Sequence, residues 1–97
     1  LGAIPEQCCL IYVDGDAMSP TLNDRDIAIV SRTRLLVRDS IYCFLMDGVL
    51  MIKRIQRVEK SKFKVISDNP AYEPFLLDDN FRNEDMIGRM VGVLKRF

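Results

Sequence analysis

Two apolar segments of this 97-residue chain are joined by the dipeptide Asp47-Gly48. The segments, Ser40–Met46 and Val49–Val58, are rich in residues that favour extended backbone. A two-residue connection of this kind needs positive φ at both positions, which Asp and Gly tolerate better than most residues. The sequence therefore predicts an antiparallel hairpin here, and a hairpin commits the segments around it to a β-sheet.

Other segments have the length and composition of strands, and they are Cys9–Val13, Asp26–Ser31, Lys62–Ser67 and Met86–Leu94. The segment Ala17–Asn23 contains Pro20 and polar residues, which predict a turn or a brief helical stretch. Gly88 and Gly92 lie inside the last strand and predict a bulge or a close backbone approach. The chain is thus predicted to be mostly β, with six or seven strands connected by short turns.

Length and charge restrict the class of function. The chain has the size of one domain, and its 14 basic and 14 acidic residues cancel. A zero net charge argues against an autonomous nucleic-acid binder, which needs a cationic face for phosphates. The chain has no His, which excludes Ser-His-Asp triads and His-ligated zinc. We predict no cofactor and no metal, with Asp78-Asp79 and the Asp14/Asp16 pair as solvated turn acids.

Three cysteines, Cys8, Cys9 and Cys43, show neither CxxC spacing nor an even count. They are interpreted as small core residues in a reducing compartment. The longest apolar runs, such as Ile41–Met46, fall short of the roughly 20 residues that cross a bilayer. The predicted location is the cytoplasm, with no membrane partner.

Lys53 lies in the middle of the apolar strand segment Val49–Ile55. It is either a solvent-facing lysine or a half-buried lysine whose pKa is lowered by desolvation. A neutral lysine is a base that activates a Ser nucleophile in a protein without His. Such a nucleophile would lie on an exposed turn introduced by Gly, and Gly15–Pro20 is the segment of that kind.

Several short motifs occur in a fixed order, and they are GDAMSPTL at 15–22, DRDIAIV at 24–30, MIKRI at 51–55, SDNPAY at 67–72 and IGRMVG at 87–92. This ordered set, spanning residues 10–97, resembles the LexA/phage-repressor self-cleaving proteases, an S24-type Ser–Lys peptidase family. The resemblance implies a LexA/signal-peptidase-like β-ribbon fold of short twisted antiparallel sheets.

The resemblance also implies site residues. Lys53 would be the general base, and the backbone N–H groups of Asp16 and Ala17 would stabilise the oxyanion. Ala17 stands where the family has its nucleophilic Ser, so the chain is predicted to be an inactive relative of a self-cleaving endopeptidase. Ser19 is two residues further on and is not expected to reach the lysine. Arg25 replaces a Gly of the family, which it tolerates at some cost if φ is positive there.

Ala17 has two explanations. Replacing Ser by Ala deletes one oxygen and is the usual way to trap a self-cleaving protein intact, so we favour an engineered substitution. A natural regulator that does not cleave is the alternative.

The function implied by the resemblance is the C-terminal dimerisation and RecA-responsive self-cleavage domain of a phage-type (LexA/CI-like) transcriptional repressor of the SOS response, for example of a prophage. Residues 1–97 would form that single domain, with residues 1–8 as a linker remnant. Operator DNA would be bound only through an N-terminal helix-turn-helix domain absent from this chain. The other partners would be the RecA–single-stranded DNA filament and a second copy, paired through Met86–Leu94 and Phe97 unless those residues fill the core.

Two other functions carry the same chemistry. A UmuD-like polymerase accessory subunit would have a short N-terminal arm, and a type I signal peptidase would have a membrane anchor. Among the remaining residues, Tyr72 and Phe75 are predicted to be core side chains. The arginines of the segment 32–38 (Arg32, Arg34 and Arg38) are predicted to form a solvated face rather than a filament contact.

Overall fold

The structure is a computed structural model that describes residues 7–77 and 81–96. Most of the predicted linker remnant lies outside the described residues, as do Asp78, Asp79 and Phe97.

Seven strands form one antiparallel sheet in the order β1-β2-β7-β3-β4-β5-β6. They are β1 Cys8–Tyr12, β2 Ile27–Arg32, β3 Ser40–Met46, β4 Val49–Glu59, β5 Lys62–Ile66, β6 Phe75–Leu76 and β7 Met86–Leu94. A short 3-10 helix, Asn83–Asp85, precedes β7, and the described residues contain no α-helix. The mostly β fold predicted from the sequence is confirmed.

The hairpin at Asp47-Gly48 forms as predicted. Strands β3 and β4 pair from Met46↔Val49 to Ser40↔Ile55. The φ angles of Asp47 and Gly48 are 51° and 77°, which is the positive-φ pair that a two-residue hairpin connection requires. The other predicted strands begin and end within one residue of the observed ones. Only the two-residue β6 lies in a segment where no strand was predicted.

Gly88 allows the close backbone approach expected at a glycine in a strand. A Cβ at this position would collide with the backbone carbonyl of Ser31 and lie 2.7 Å from Cγ1 of Val30. The register between β2 and β7 shifts between Ile29 and Val30, at a bulge. Gly88 therefore lets β7 lie between β2 and β3, in the middle of the sheet.

Two apolar clusters stabilise the sheet. The first contains side chains of the segment after β1 and of β2 and β3, namely Val13, Met18, Leu22, Ala28, Val30, Ile41 and Cys43. The second contains Tyr42, Phe44, Ile55, Val65 and Met86. Burying one large apolar side chain stabilises the fold by about 1.5–3 kcal/mol. The first cluster therefore anchors the turn that follows β1, and the second supports the middle of β4.

Candidate active site

The turn after β1 carries Ala17 and is fixed by its own apolar side chains. Met18 and Leu22 are 3% and 0% exposed and belong to the first apolar cluster. The N–H of Leu22 donates to the carbonyl of Met18 at 2.9 Å, and the N–H of Ser19 donates to that of Asp16 at 3.1 Å. The turn or brief helical stretch predicted for this segment is confirmed, and Ala17 is half-buried on it.

A second loop, residues 67–72, holds this turn in place. The N–H of Asn69 donates to the carbonyl of Ala17 at 3.0 Å, and its Nδ2 donates to the carbonyl of Asp16 at 3.1 Å. The hydroxyl of Tyr72 donates to Oδ1 of Asp16 at 2.6 Å. Two motifs about 50 residues apart in the sequence thus form one rigid unit around residue 17.

Asp68 connects the same turn to β4. Its carboxylate accepts hydrogen bonds from Nε and Nη2 of Arg54, at 2.8 and 2.9 Å. It also accepts a hydrogen bond from the hydroxyl of Thr21. The hydrogen bond from Arg54 is the main reason that the pKa of Asp68 is lowered. Two-point pairing between a guanidinium and a carboxylate fixes direction as well as distance. The strand that carries Lys53 is therefore held at a fixed position relative to the turn.

Lys53 is half-buried because of its place in the sheet. It pairs with the fully buried Tyr42, and residues paired across antiparallel strands share a face of the sheet. Pairing of β4 with β5 begins at Arg54↔Ile66, so Ser67 continues β5 directly opposite Lys53. The Nζ of Lys53 donates to Oγ of Ser67 at 2.7 Å.

The environment of the Lys53 amine makes it a weaker base than an ordinary lysine. Burial lowers its pKa. The Nζ atom lies 5.3 Å from the ring centroid of Tyr72, a cation–π contact that favours the charged form. The half-buried interpretation of Lys53, left open by the sequence, is the one that the structure supports.

An open cleft of about 400 Å³ contains both predicted side chains. One wall is formed by residues 12–15 together with Ala17 and Met18, and the other is the first half of β4, Val49–Lys53. This half of β4 pairs with β3 but not with β5, so one edge of it is free of a strand among the described residues. The structure therefore brings Ala17 and Lys53 into one cleft beside an open strand edge.

Ser19 lies on the same turn, but its hydroxyl is engaged elsewhere. It donates to Oδ1 of Asn23 at 2.9 Å. The N–H groups of Asp16 and Ala17 donate no hydrogen bond to any part of the chain that the structure describes. Arg25 has a φ of 72°, so it occupies the left-handed region considered for it from the sequence.

The cysteines are unpaired thiols in the structure. Cys43 is fully buried, and burial raises the pKa of its thiol to about 12. Cys9 packs against the first apolar cluster, and Cys8 is half-buried. Within residues 7–77 and 81–96, no three His, Cys, Asp or Glu side chains are grouped to hold a metal ion. In the same residues, no helix is long and apolar enough to span a membrane.

The sequence prediction for Tyr72 and Phe75 was wrong. Both side chains are exposed, at 42% and 38%. Tyr72 lies at the surface because its hydroxyl donates a hydrogen bond to Asp16 and its ring lies near the amine of Lys53. Phe75 is exposed because it belongs to the edge strand β6. The arginines of the segment 32–38 are exposed, as predicted.

Sequence reasoning also missed Ser67 and Asp26. Ser67 could have been found by extending the alternation of β5 by one pair, which places it opposite Lys53. Asp26 is 2% exposed, and its carboxylate accepts three hydrogen bonds. The donors are the N–H of Asn23 at 2.9 Å, Nζ of Lys95 at 2.9 Å and the N–H of Arg96 at 3.1 Å. Asn23 is a local partner, but Lys95 and Arg96 lie 69 and 70 residues further along the chain, so no local pattern reveals them.

Nearly the whole chain is similar to known proteins. Residues 2–91 match the family described as Peptidase S24-like. The chain is 31% identical over 96 residues to the 26 kDa repressor protein of Escherichia phage HK022, covering 98% of this chain and 40% of that protein. It is 29% identical over 96 residues to an uncharacterized HTH-type transcriptional regulator of Haemophilus influenzae, covering 96% and 40%.

A third relative is the LexA repressor of Citrifermentans bemidjiense, which is 25% identical over 87 residues. The alignment covers 89% of this chain and 43% of that repressor, so the chain spans about two fifths of the length of these relatives. The family match extends over nearly all of the sheet and both walls of the cleft. This chain belongs to the Peptidase S24-like family.

Proposed function

We propose that this chain is the C-terminal peptidase-like and dimerisation domain of a LexA- or phage-type transcriptional repressor, with Ala17 at the position of the nucleophile. The observation that carries the proposal is that Ala17 and Lys53 line the same cleft, beside a free strand edge. The names of the matched relatives, two repressors and a regulator, support the biological role. As it stands, the chain has no hydroxyl at position 17 and does not cleave by this route.

The chemistry follows from what each group does once residue 17 is Ser. The neutral amine of Lys53 takes the hydroxyl proton, and the freed oxygen attacks a peptide carbonyl of the protein's own linker. The unpartnered N–H groups of Asp16 and Ala17 stabilise the oxyanion. The protonated amine then delivers its proton to the leaving nitrogen, and the acyl group stays on residue 17 until water releases it. Ser67 keeps the Lys53 amine in place throughout.

Docking of the linker would raise the reactivity of the lysine. The amine is half-buried in an open cleft, and a segment lying along the first half of β4 would exclude more water from it. Further desolvation lowers the pKa of a lysine and increases its neutral fraction. In this proposal the RecA–single-stranded DNA filament promotes that docking, and cleavage releases an N-terminal helix-turn-helix domain from the operator.

The test restores the hydroxyl with Ala17→Ser in the full-length protein. We expect slow conversion to two discrete fragments, faster at alkaline pH because neutral lysine is then more abundant. Lys53→Ala in the same background should slow the reaction at least 100-fold, which is within the usual effect of losing a general base. The matched control is Lys64→Ala on β5, which should cleave at the unchanged rate. Protein that stays intact at every pH, with and without RecA filament, would contradict the proposal.

A second copy is proposed to pair through one apolar face of the sheet. Register places Leu10, Ile29 and Gly92 side by side, and next to them Tyr12, Ile27 and Leu94. Leu10, Tyr12 and Leu94 are 50%, 75% and 46% exposed. Strand β7 lies between β2 and β3, so it contributes this face and not an edge, while Ile87, Met90 and Val93 pack on the core. Leu94→Lys should convert a dimer to a monomer in sedimentation experiments, and a wild-type monomer at all concentrations would contradict this pairing.

The alternative functions, a polymerase accessory subunit and a signal peptidase, have no observation of their own in their favour. The matched relatives bear the names of repressors and a regulator. The N-terminal portion of the full-length protein discriminates among the three, because each function requires a different segment there.

A further inference from the structure

The cleft beside Ala17 has an apolar wall that is left open to water. Val49 and Leu50 line it and are 57% and 47% exposed. Contiguous exposed apolar side chains of this size are typical of a binding groove. The wall formed by β4 is also a strand edge without a neighbour among the described residues. An extended peptide can pair with such an edge through its backbone while its side chains contact the apolar wall.

The same cleft also has features suited to an anion. Lys53 lines it, and among the described residues the Nζ of Lys53 has a single side-chain hydrogen-bond acceptor, Ser67. The N–H groups of Ala17 and Met18, two further residues of the lining, donate no hydrogen bond within the described part of the chain. Adjacent unpartnered N–H groups beside a cation form the kind of site that captures carboxylates.

The side chain at position 17 determines whether a terminal carboxylate or only an internal peptide carbonyl fits the cleft. A serine at this position would add one oxygen atom to the wall of the cleft that Lys53 also lines, and alanine leaves that space free. A terminal carboxylate has one oxygen more than an internal peptide carbonyl. One carboxylate oxygen can therefore accept hydrogen bonds from the N–H groups of Ala17 and Met18. The other oxygen can occupy the space beside the methyl group of Ala17 and form an ion pair with Lys53.

We propose that the Ala17 form of this domain is a receptor for the free C-terminal carboxylate of an extended, apolar peptide. This inference rests on the proposed function for the position of the cleft and adds a ligand class to it. Binding is non-covalent, and no bond is made or broken. Asp14 and Asp16 lie on the same turn, so acidic residues near the peptide's C-terminus are disfavoured.

The test uses the 97-residue chain and a fluorescein-labelled peptide of six residues ending in Leu-Val-Ala with a free carboxylate. The comparison ligand is the same peptide with a C-terminal amide, and both are titrated at pH 7 by fluorescence anisotropy. We expect the carboxylate form to bind at least tenfold more tightly. Equal affinities of the two peptides would overturn the inference. So would absence of binding of the carboxylate peptide at about 1 mM protein, since a dissociation constant of about 1 mM corresponds to a binding free energy of only about 4 kcal/mol.

Three variants locate the binding site. Lys53→Met keeps the length of the side chain and should abolish the preference for the carboxylate. Ala17→Ser fills the space for the second oxygen and should weaken carboxylate binding by roughly tenfold, the equivalent of about 1.4 kcal/mol. Lys64→Met, the matched control on β5, should change nothing. A preference that survives Lys53→Met would place the peptide elsewhere and overturn the assignment.

These results separate the two proposals. Self-cleavage of the Ala17→Ser full-length protein, together with equal binding of the two peptides, would remove only the receptor inference. A carboxylate preference that depends on Lys53, together with absence of cleavage, would keep the receptor and remove the self-cleavage proposed for this site.

Discussion

Two charged side chains have contrasting environments: Asp26, which is bonded to the end of the turn region, and Lys53, which lines the cleft beside that turn. Asp26 is almost completely buried, accepts three hydrogen bonds and has a pKa lowered to about 2, first of all by the N–H of Asn23. Lys53 is half-buried, has one hydroxyl as its hydrogen-bond acceptor, and has a pKa lowered by desolvation.

The difference fits the roles proposed for the two groups. A carboxylate that accepts three hydrogen bonds stays ionised at all physiological pH values and can stabilise the structure around it. A half-buried amine with a lowered pKa loses its proton more easily than an ordinary lysine, which is the requirement for a base. In the proposed function, Asp26 stabilises the turn and Lys53 is the base that faces it.

The largest effect on stability is expected when the carboxylate of Asp26 is removed. Asp26→Ala leaves the N–H groups of Asn23 and Arg96 without this acceptor and Lys95 with only the carbonyl of Thr21, and we expect the melting temperature to fall by roughly 10 °C. Asp14→Ala, an exposed acid on the same turn, is the control and should change it by less than about 2 °C. A small loss for Asp26→Ala in calorimetry would show that its three hydrogen bonds do not stabilise the turn.

Acid titration tests the same carboxylate without changing its size. The folded pKa of Asp26 is about 2 against an ordinary value of 3.8, so its contribution is complete above pH 4 and is lost as the pH falls through 2. We expect the stability of the wild type to fall across this window, and Asp26→Asn to show a flatter profile. Parallel profiles in urea denaturation at pH 5, 4, 3 and 2 would contradict this expectation.

Lys53 should respond in the opposite direction. Lys53→Met removes a half-buried charge and keeps the chain length, so we expect stability to be unchanged or to rise by up to about 1 kcal/mol at pH 7. Because the folded pKa is lowered, the unfolded chain binds more protons, and wild-type stability rises with pH up to about 10.5. The advantage of the variant should therefore shrink as the pH is raised. A variant that is less stable than the wild type by more than about 1 kcal/mol would mean that Lys53 is a structural ion like Asp26.

The smallest effect is expected at Arg25, which directly precedes Asp26 in the sequence. Its φ of 72° is unfavourable for a side chain with a Cβ, and Arg25→Gly should stabilise the fold by about 0.5–1 kcal/mol. Arg34→Gly in the exposed loop before β3 provides the comparison and should give no gain. Destabilisation by Arg25→Gly in chemical denaturation would show that the side chain itself supports the turn.

The fold was predictable from the sequence where the information is local. Asp47-Gly48 fixes a hairpin by the φ values that it permits, and the register that follows places Lys53 opposite the buried Tyr42. Gly88 was identified as a point of close approach because a glycine inside a strand has few other uses. In each case a property of one or two residues determined the outcome.

The site was only partly predictable because its contacts join distant segments. Tyr72 has the composition of a core residue, yet a hydrogen bond to Asp16, 56 residues away, keeps it at the surface. The two-residue strand β6 has no periodicity to detect, and it forms because β5 offers it an edge. Asp26 lies at the start of an apolar strand, and its acceptor role depends on Lys95 and Arg96 at the other end of the chain.

The most direct measurement is an NMR titration of the Lys53 amine in the wild type and in Ala17→Ser. The account predicts that Lys53 titrates below the ordinary lysine value of 10.5, and that a hydroxyl added at position 17 changes both its chemical shift and its pKa. A Lys53 amine that titrates at the ordinary lysine value and does not respond to residue 17 would contradict the account.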